Sequence, residues 1–170
     1  GYGIPVTDGW AWSVDTAIAP VVGSSGEYSS LALDSSGNPH VVYVAGEDHD
    51  LEHSWAAWDQ NLGTWDWQSQ QVDGGIGNMV GTHVSLEIGS NDDLHAAYYD
   101  ETHQALKYAH APYGQIASVG SSGGWSWFPL TIENTGDHVG KYTDIALDDS
   151  GTVYITYYDE TNGDLKLAHN

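Results

Sequence analysis

Three short turns concentrate the oxygen-bearing side chains of this sequence: "GEDHD" at 46–50, "DETHQ" at 100–104 and "DETNGD" at 159–164. In the last, Asp159, Asn162 and Asp164 crowd one turn, and Asp100 opens the matching turn of the second stretch. Carboxylate and amide oxygens gathered in a loop suit Ca2+. The spacing of an EF-hand and its terminal Glu are missing, and Asp and Asn also shape turns by bonding their own backbone. Both readings stand, with turn-shaping the expectation. The nine histidines include two repeat-equivalent pairs, His40 with His95 and His110 with His169. None has the spacing of a helical zinc motif, so strand-facing or core histidines are expected. The aromatic candidates are Trp10, Trp65 and Trp125, each opening a Trp-x-Trp, and Tyr43, Tyr98 and Tyr157. Amphipathic rings of this kind stack on sugars or pack between layers.

Catalytic patterns are scarce. Paired carboxylates can hydrolyse glycosides, but no Gly-x-Ser-x-Gly elbow, phosphate loop or dinucleotide fingerprint occurs. Sialidase-type clamping of a substrate carboxylate needs arginine, which the chain lacks. Near-equivalent repeats also argue against a single asymmetric site, so no enzyme is expected.

Composition narrows the partners. The chain has 170 residues with 24 acids against 3 bases, Lys107, Lys141 and Lys166, for a formal charge of -21. Such a surface repels phosphate backbones and anionic membranes, so neither nucleic acid nor membrane insertion is expected. With 0 cysteines, disulfides and thiolate sites are excluded. There are 8 Trp and 11 Tyr against 1 Phe, a bias towards aromatics with a polar handle.

A repeat positions these residues. Four motifs recur in one order: Trp-x-Trp ("GWAWSVDTA", "TWDWQSQQV", "GWSWFPLTI"); "YSSLALD", "HVSLEIG", "YTDIALD"; "HVVYVAG", "HAAYYDE", "YITYYDE"; and "DLEHSWA", "ALKYAHA", "DLKLAHN". From the first unit to the second every motif moves by 55 (Trp10 to Trp65, Leu31 to Leu86, Tyr43 to Tyr98, Leu51 to Leu106). The next shift is 60 for the Trp motif and 59 for the rest, the added length lying in "APYGQIASVGSSGG". Each motif is short, β-branched and aromatic, and Gly, Asp, Asn and Ser punctuate the gaps. No segment has sustained helical periodicity. Four short strands per unit predict an all-β fold; a trefoil, a prism and a propeller compete, and hairpin-length gaps favour the propeller meander.

The string "YTDIALDDSGTVYITYYDETNGDLKLA" resembles a bacterial and archaeal repeat family read as Ser-Leu-Ala-Leu-Asp-Ser-Ser-Gly-Asn-Pro-His, then Tyr-Tyr-Asp, then Gly-Asp-Leu-Lys-Tyr-Ala. The resemblance implies β-propeller blades in secreted or cell-surface proteins. It runs from Trp10 to the last residue, with departures at "VYVAGEDHD" and at the insertion before Trp125.

With strands lettered A (Leu31), B (Tyr43), C (Leu51) and D (Trp65), the order is D-ABC-D-ABC-D-ABC. The expected units are an N-terminal segment at 1–25 carrying a spare D strand, blades at 26–73 and 81–133, and strands A to C of a third at 140–170. Three blades do not readily close a ring, and an open strand edge is a template for association. The assembly residues are therefore Trp10, Trp12 and Val14 on the spare strand, with Leu165 and Leu167 on the open edge. A head-to-tail homo-oligomer is expected, as a six-bladed dimer or a filament. Closure within the chain, and a chain that is one piece of a longer propeller, are the alternatives. The functional expectation is a non-catalytic extracellular self-assembling module. Its rival is a multivalent carbohydrate-binding lectin with sites at the blade junctions, binding glycans through Trp10, Trp65 and Trp125.

Overall fold

A computed structural model describes residues 13–17, 25–46, 49–114, 116–117 and 124–170. Among the described residues there are thirteen strands: β1 (Ser25–Leu33), β2 (Pro39–Ala45), β3 (Asp50–Asp59), β4 (Thr64–Asp73), β5 (Val80–Ile88), β6 (Leu94–Asp100), β7 (Ala105–Ala111), β8 (Ile116–Ala117), β9 (Gly124–Trp125), β10 (Phe128–Glu133), β11 (Val139–Leu147), β12 (Val153–Asp159) and β13 (Asp164–His169). The described residues contain no helix, and the fold is all-β. β1-β2-β3-β4 form a four-stranded antiparallel sheet, β5-β6-β7-β10 a second, and β11-β12-β13 a three-stranded third, while β8 and β9 pair apart.

Short polar turns set these meanders. Asp34 accepts the amides of Ser36 (2.9 Å) and Asn38 (2.8 Å) between β1 and β2. Asp148 repeats this with Ser150 (2.9 Å) and Thr152 (3.0 Å) between β11 and β12. The first strand of each sheet carries a bulge with one residue in the left-handed region: Tyr28 (φ 51), His83 (φ 55) and Tyr142 (φ 53). The extra residue swings the ring out of the ladder. The three rings meet across the sheets with tilted planes, Tyr28 against His83 at 5.1 Å and His83 against Tyr142 at 4.4 Å.

The sheets pack face to face, and burial follows their order. All seven residues of β6 are buried because its sheet is covered on both sides. In β12 buried and more exposed positions alternate, the pattern of a sheet covered on one face. One apolar cluster, including Val42, Leu51, Val80, Leu86 and Tyr98, joins the first two sheets. A second, including Ala97, Leu106, Val139, Ile145 and Tyr157, joins the second and third.

At both junctions between sheets a leucine sits on a glycine. Gly81 (φ +96) has Leu51 against it, with Leu51 Cβ 2.9 Å from where a Cβ would stand. Gly140 (φ +111) has the backbone of Leu106, at 2.7 Å from its Cα. Any side chain here would collide, and the positive φ already disfavours one. The Val80 amide donates to the His49 carbonyl at 3.0 Å, and the Val139 amide to that of Gln104 at 3.2 Å, sealing each junction.

An ionic clasp ties the outer strands across the same junctions. Asp73, at the end of β4, accepts the Tyr98 hydroxyl (2.7 Å) and pairs with the Lys107 ammonium. Glu133, at the end of β10, accepts the Tyr157 hydroxyl and pairs with Lys166. Asp73→Ala should leave a half-buried ammonium and a buried phenol without their acceptor. A loss of about 3 kcal/mol in chemical denaturation is expected, while Lys107→Met with Asp73→Leu should recover most of it.

Candidate functional site

Two places depart from a purely structural repeat. One is the pair of open faces at the ends of the sheet stack; the other is a histidine cluster in the cleft between the second and third sheets.

Leu165 opens β13 at the position of Leu51 and Leu106. Those two are 0% exposed, whereas Leu165 is 80% exposed. Leu167 beside it is 58% exposed. At the other end, Leu31 of β1 is 61% exposed, while its equivalents Leu86 and Ile145 are each 5% exposed. Gly26 (φ +102), the equivalent of Gly81 and Gly140, has none of the described residues within 4 Å of a Cβ position. The first and third sheets therefore do not close on one another. Of the expected complementing strand, Trp10 and Trp12 lie outside the described residues; Val14 lies in 13–17, which are not in a strand, and is 69% exposed.

The expected ligand residues fall in different settings. Tyr43, Tyr98 and Tyr157 are buried on the middle strands. Tyr43 pairs with Ser54 of its own sheet at 3.1 Å, and the other two hold the acids of the clasp. Burial raises both clasp phenols, and the neighbouring acids raise them further. Trp125 does not enter the outer strand of its sheet. Its amide donates to the Gln70 side chain (2.7 Å) and Gln70 donates back to its carbonyl (2.6 Å), so the strand starts at Phe128. Its ring stands edge-on to His40 (5.5 Å) and His53 (6.2 Å). Trp65 sits at the β3–β4 hairpin, edge-on to the 49% exposed Trp58 at 5.3 Å.

Of the expected calcium residues, Asp159, Asn162 and Asp164 share the β12–β13 hairpin, and Asp100 stands in the equivalent β6–β7 hairpin. Asp100 is buried, accepts the His103 amide (2.8 Å) and lies 3.9 Å from Lys107. Asp159 accepts the Asn162 amide (3.0 Å) and side chain (2.9 Å), and lies 3.8 Å from Lys166. These carboxylates already serve their turns and a lysine. Asp164 is exposed at the start of β13.

The cluster missed by spacing is Asp93, His95 and His110, whose donor atoms all lie within 4.8 Å of one another. Asp93 ends the β5–β6 turn, His95 begins β6, and His110 ends β7 directly opposite His95 in the ladder. The imidazoles stack at 4.7 Å. Tyr108 Oη lies 2.7 Å from His95 Nδ1. Burial drives the His95 pKa down to about 4, with His110 adding to the shift, so its ring is neutral. Burial alone would push the Asp93 carboxyl up, but the Tyr113 amide, Asn91 and His110 outweigh it and hold it low. A cleft of about 630 Å³ adjoins the cluster, reaching Asp148 and Asp149 of the third sheet. Cross-strand pairing of His95 and His110 was the available signal, and it needs the hairpin register.

Glu52 breaks the clasp pattern. It stands where the later units have Lys107 and Lys166, and the place of Asp73 and Glu133, eight residues after the first Trp of their motif, is Ile18 in the first. Base and acid are lost together. Burial, and then Asp50, push the Glu52 carboxyl up to about 7. The unfolded chain ionises this group first, near its ordinary 4.5, so its contribution to stability falls as pH rises from there to about 7. Glu52→Gln should therefore raise Tm at pH 8 by a few degrees and leave it unchanged at pH 4, as read by thermal melts across pH.

No family model matches the chain, and no curated protein matches it. Among solved structures, an endo-arabinase from Bacteroides thetaiotaomicron aligns over 84% of this chain and 54% of its own, with 17% identity and a TM-score of 0.48. The chain spans about half the length of that enzyme, and a likeness at this level transfers no activity to it.

Proposed function

We propose that the chain is a non-catalytic, secreted or surface-exposed β-propeller subunit of three blades that joins a second copy head to tail in a six-bladed ring. The reading is carried by one observation: Leu165 is 80% exposed where Leu51 and Leu106 are 0% exposed, and the glycine that would receive it, Gly26, has none of the described residues within 4 Å of a Cβ position. Each end of the stack presents one half of the contact that the two internal junctions make whole. The repeat also sets the register. The Ser25 amide would donate to the Gly163 carbonyl of the other copy, as Val80 does to His49 and Val139 to Gln104. The Leu31 amide would meet Asp144, as those of Leu86 and Ile145 meet Ser30 and Ser85.

Residues 10–18 would add the fourth strand to β13 of the neighbour, by the main-chain pairing that open edges invite. Ile18 then faces Tyr43 and Glu52 of its own copy, which accounts for the joint loss of acid and lysine in the first unit. Two copies give six blades, within the usual four to eight. Multivalent sugar binding is a second reading, favoured by the pair of the exposed Trp58 and the partly buried Trp65. Loss of a glycan-array signal in Trp65→Ala, with folding intact, would support it.

Solution mass tests the assembly. The wild-type chain should run as a dimer, and Leu165→Asp or Gly26→Val should run as monomers with unchanged far-UV spectra. Mixing the two variants should restore a dimer through the one junction left intact in the pair. A monomeric wild type, or a dimer insensitive to both changes, rejects the proposal; the former assigns the open faces to further repeats of a longer chain.

A further inference from the structure

We propose that Asp93, His95 and His110 form a binding site for one divalent transition-metal ion of the zinc type, opening on the cleft between the second and third sheets. The cluster is a local departure from the repeat. Asp93 stands where the other units have Asn38 and Thr152; His95 matches His40 and Tyr154; His110 matches Trp55 and His169. Only the second unit has an acid and two imidazoles together at these places. The first and third sheets fold the same hairpins without them, so the meander itself does not require the set.

Two further departures serve the same place. The turn aspartate of the other units, Asp34 and Asp148, is Gly89 here, and a Cβ at Gly89 would stand 3.6 Å from His95 Nε2. Replacing Asp by Gly thus keeps the approach to that nitrogen open. Tyr108 replaces His53 and Leu167, and its hydroxyl at 2.7 Å from His95 Nδ1 orients the ring. A partner on one imidazole nitrogen that fixes the other for a metal is the usual outer support of such ligands. His110 Nε2 is buried with no hydrogen-bond partner among the described residues, 3.6 Å from Asp93 Oδ2. An ion between these two atoms would satisfy it.

The donor chemistry selects the ion. Two imidazoles and one carboxylate suit zinc and its neighbours, whereas calcium takes six or more oxygens. Ligands held at about 2.1 Å from one ion are at most about 4.2 Å apart. The present spread of 4.8 Å would close by side-chain rotation on binding. The cleft of about 630 Å³ leaves the remaining position open to water or a small ligand.

The test uses the untagged full chain titrated with Zn2+ alone in a calorimeter, with Ca2+ as the contrast. One Zn2+ per chain should bind, with Ca2+ at least about 100-fold weaker. His95→Tyr and His110→Trp install residues that the same hairpin positions carry in the other units. Each should weaken Zn2+ binding at least about 100-fold while the melting temperature of the metal-free chain holds. If either variant fails to fold, the histidine ring signals of the wild-type NMR spectrum decide: two of the nine should shift on adding one equivalent of Zn2+. No saturable binding, equal affinity for Ca2+, undiminished binding in the folded variants, or shifts in other histidines would overturn the assignment.

Discussion

Stacking flat sheets requires each face to be covered, and here one contact sets how closely that happens. A leucine at the start of the third strand of one sheet presses on a glycine at the start of the next, Leu51 on Gly81 and Leu106 on Gly140. Glycine is needed twice over, for its positive φ and for the missing Cβ. The contact brings the first strands together, which buries Leu86 and Ile145, aligns the amide-to-carbonyl seals and brings the Tyr28, His83 and Tyr142 rings into contact. Where the contact is made, both sides vanish from solvent; where it is not, Leu165 and Leu31 stand exposed.

The clasp shows how a repeat varies without losing its geometry. Tyr98 and Tyr157 reach an acid on the preceding sheet, and a lysine compensates its charge. In the first unit the tyrosine remains, bonded to Ser54, while Glu52 replaces the lysine. A half-buried carboxylate without a cation beside it is costly, and the upward shift of Glu52 is the expression of that cost. In a chain with 24 acids and 3 bases, two of the bases serve these clasps, and the third, Lys141, pairs with Glu160 at 2.6 Å. Cations are spent on structure, which leaves the remaining surface acidic.

The cleft cluster arises from a different economy. Repeats constrain positions that every unit needs and release the rest. The turn of the second unit gives up its capping aspartate for Gly89 and moves the carboxylate to Asp93, next to the paired His95 and His110. That relocation builds an asymmetric feature on a symmetric frame, at a junction where two sheets already leave a hollow.

The repeat made the strands legible from sequence alone. Motifs spaced by 55 and then 59 residues, with turn residues between, mark Leu31, Tyr43 and Leu51 and their counterparts as strand residues, because side-chain alternation and turn chemistry are local. The third Trp motif was less legible: Gln70, from another sheet, ties up the backbone of Trp125 and delays the strand to Phe128. Asp100 and Asp159 read from sequence as an oxygen-rich pair of turns, and only packing placed Lys107 and Lys166 beside them. His95 and His110, fifteen residues apart, become neighbours through the register of one hairpin. Local pattern determined the strands, their turns and the all-β class. Tertiary structure decided which tyrosines are closed to solvent, which acids the clasp lysines meet across the junctions and which leucines remain uncovered, because burial and these charge pairs depend on the sheet next door.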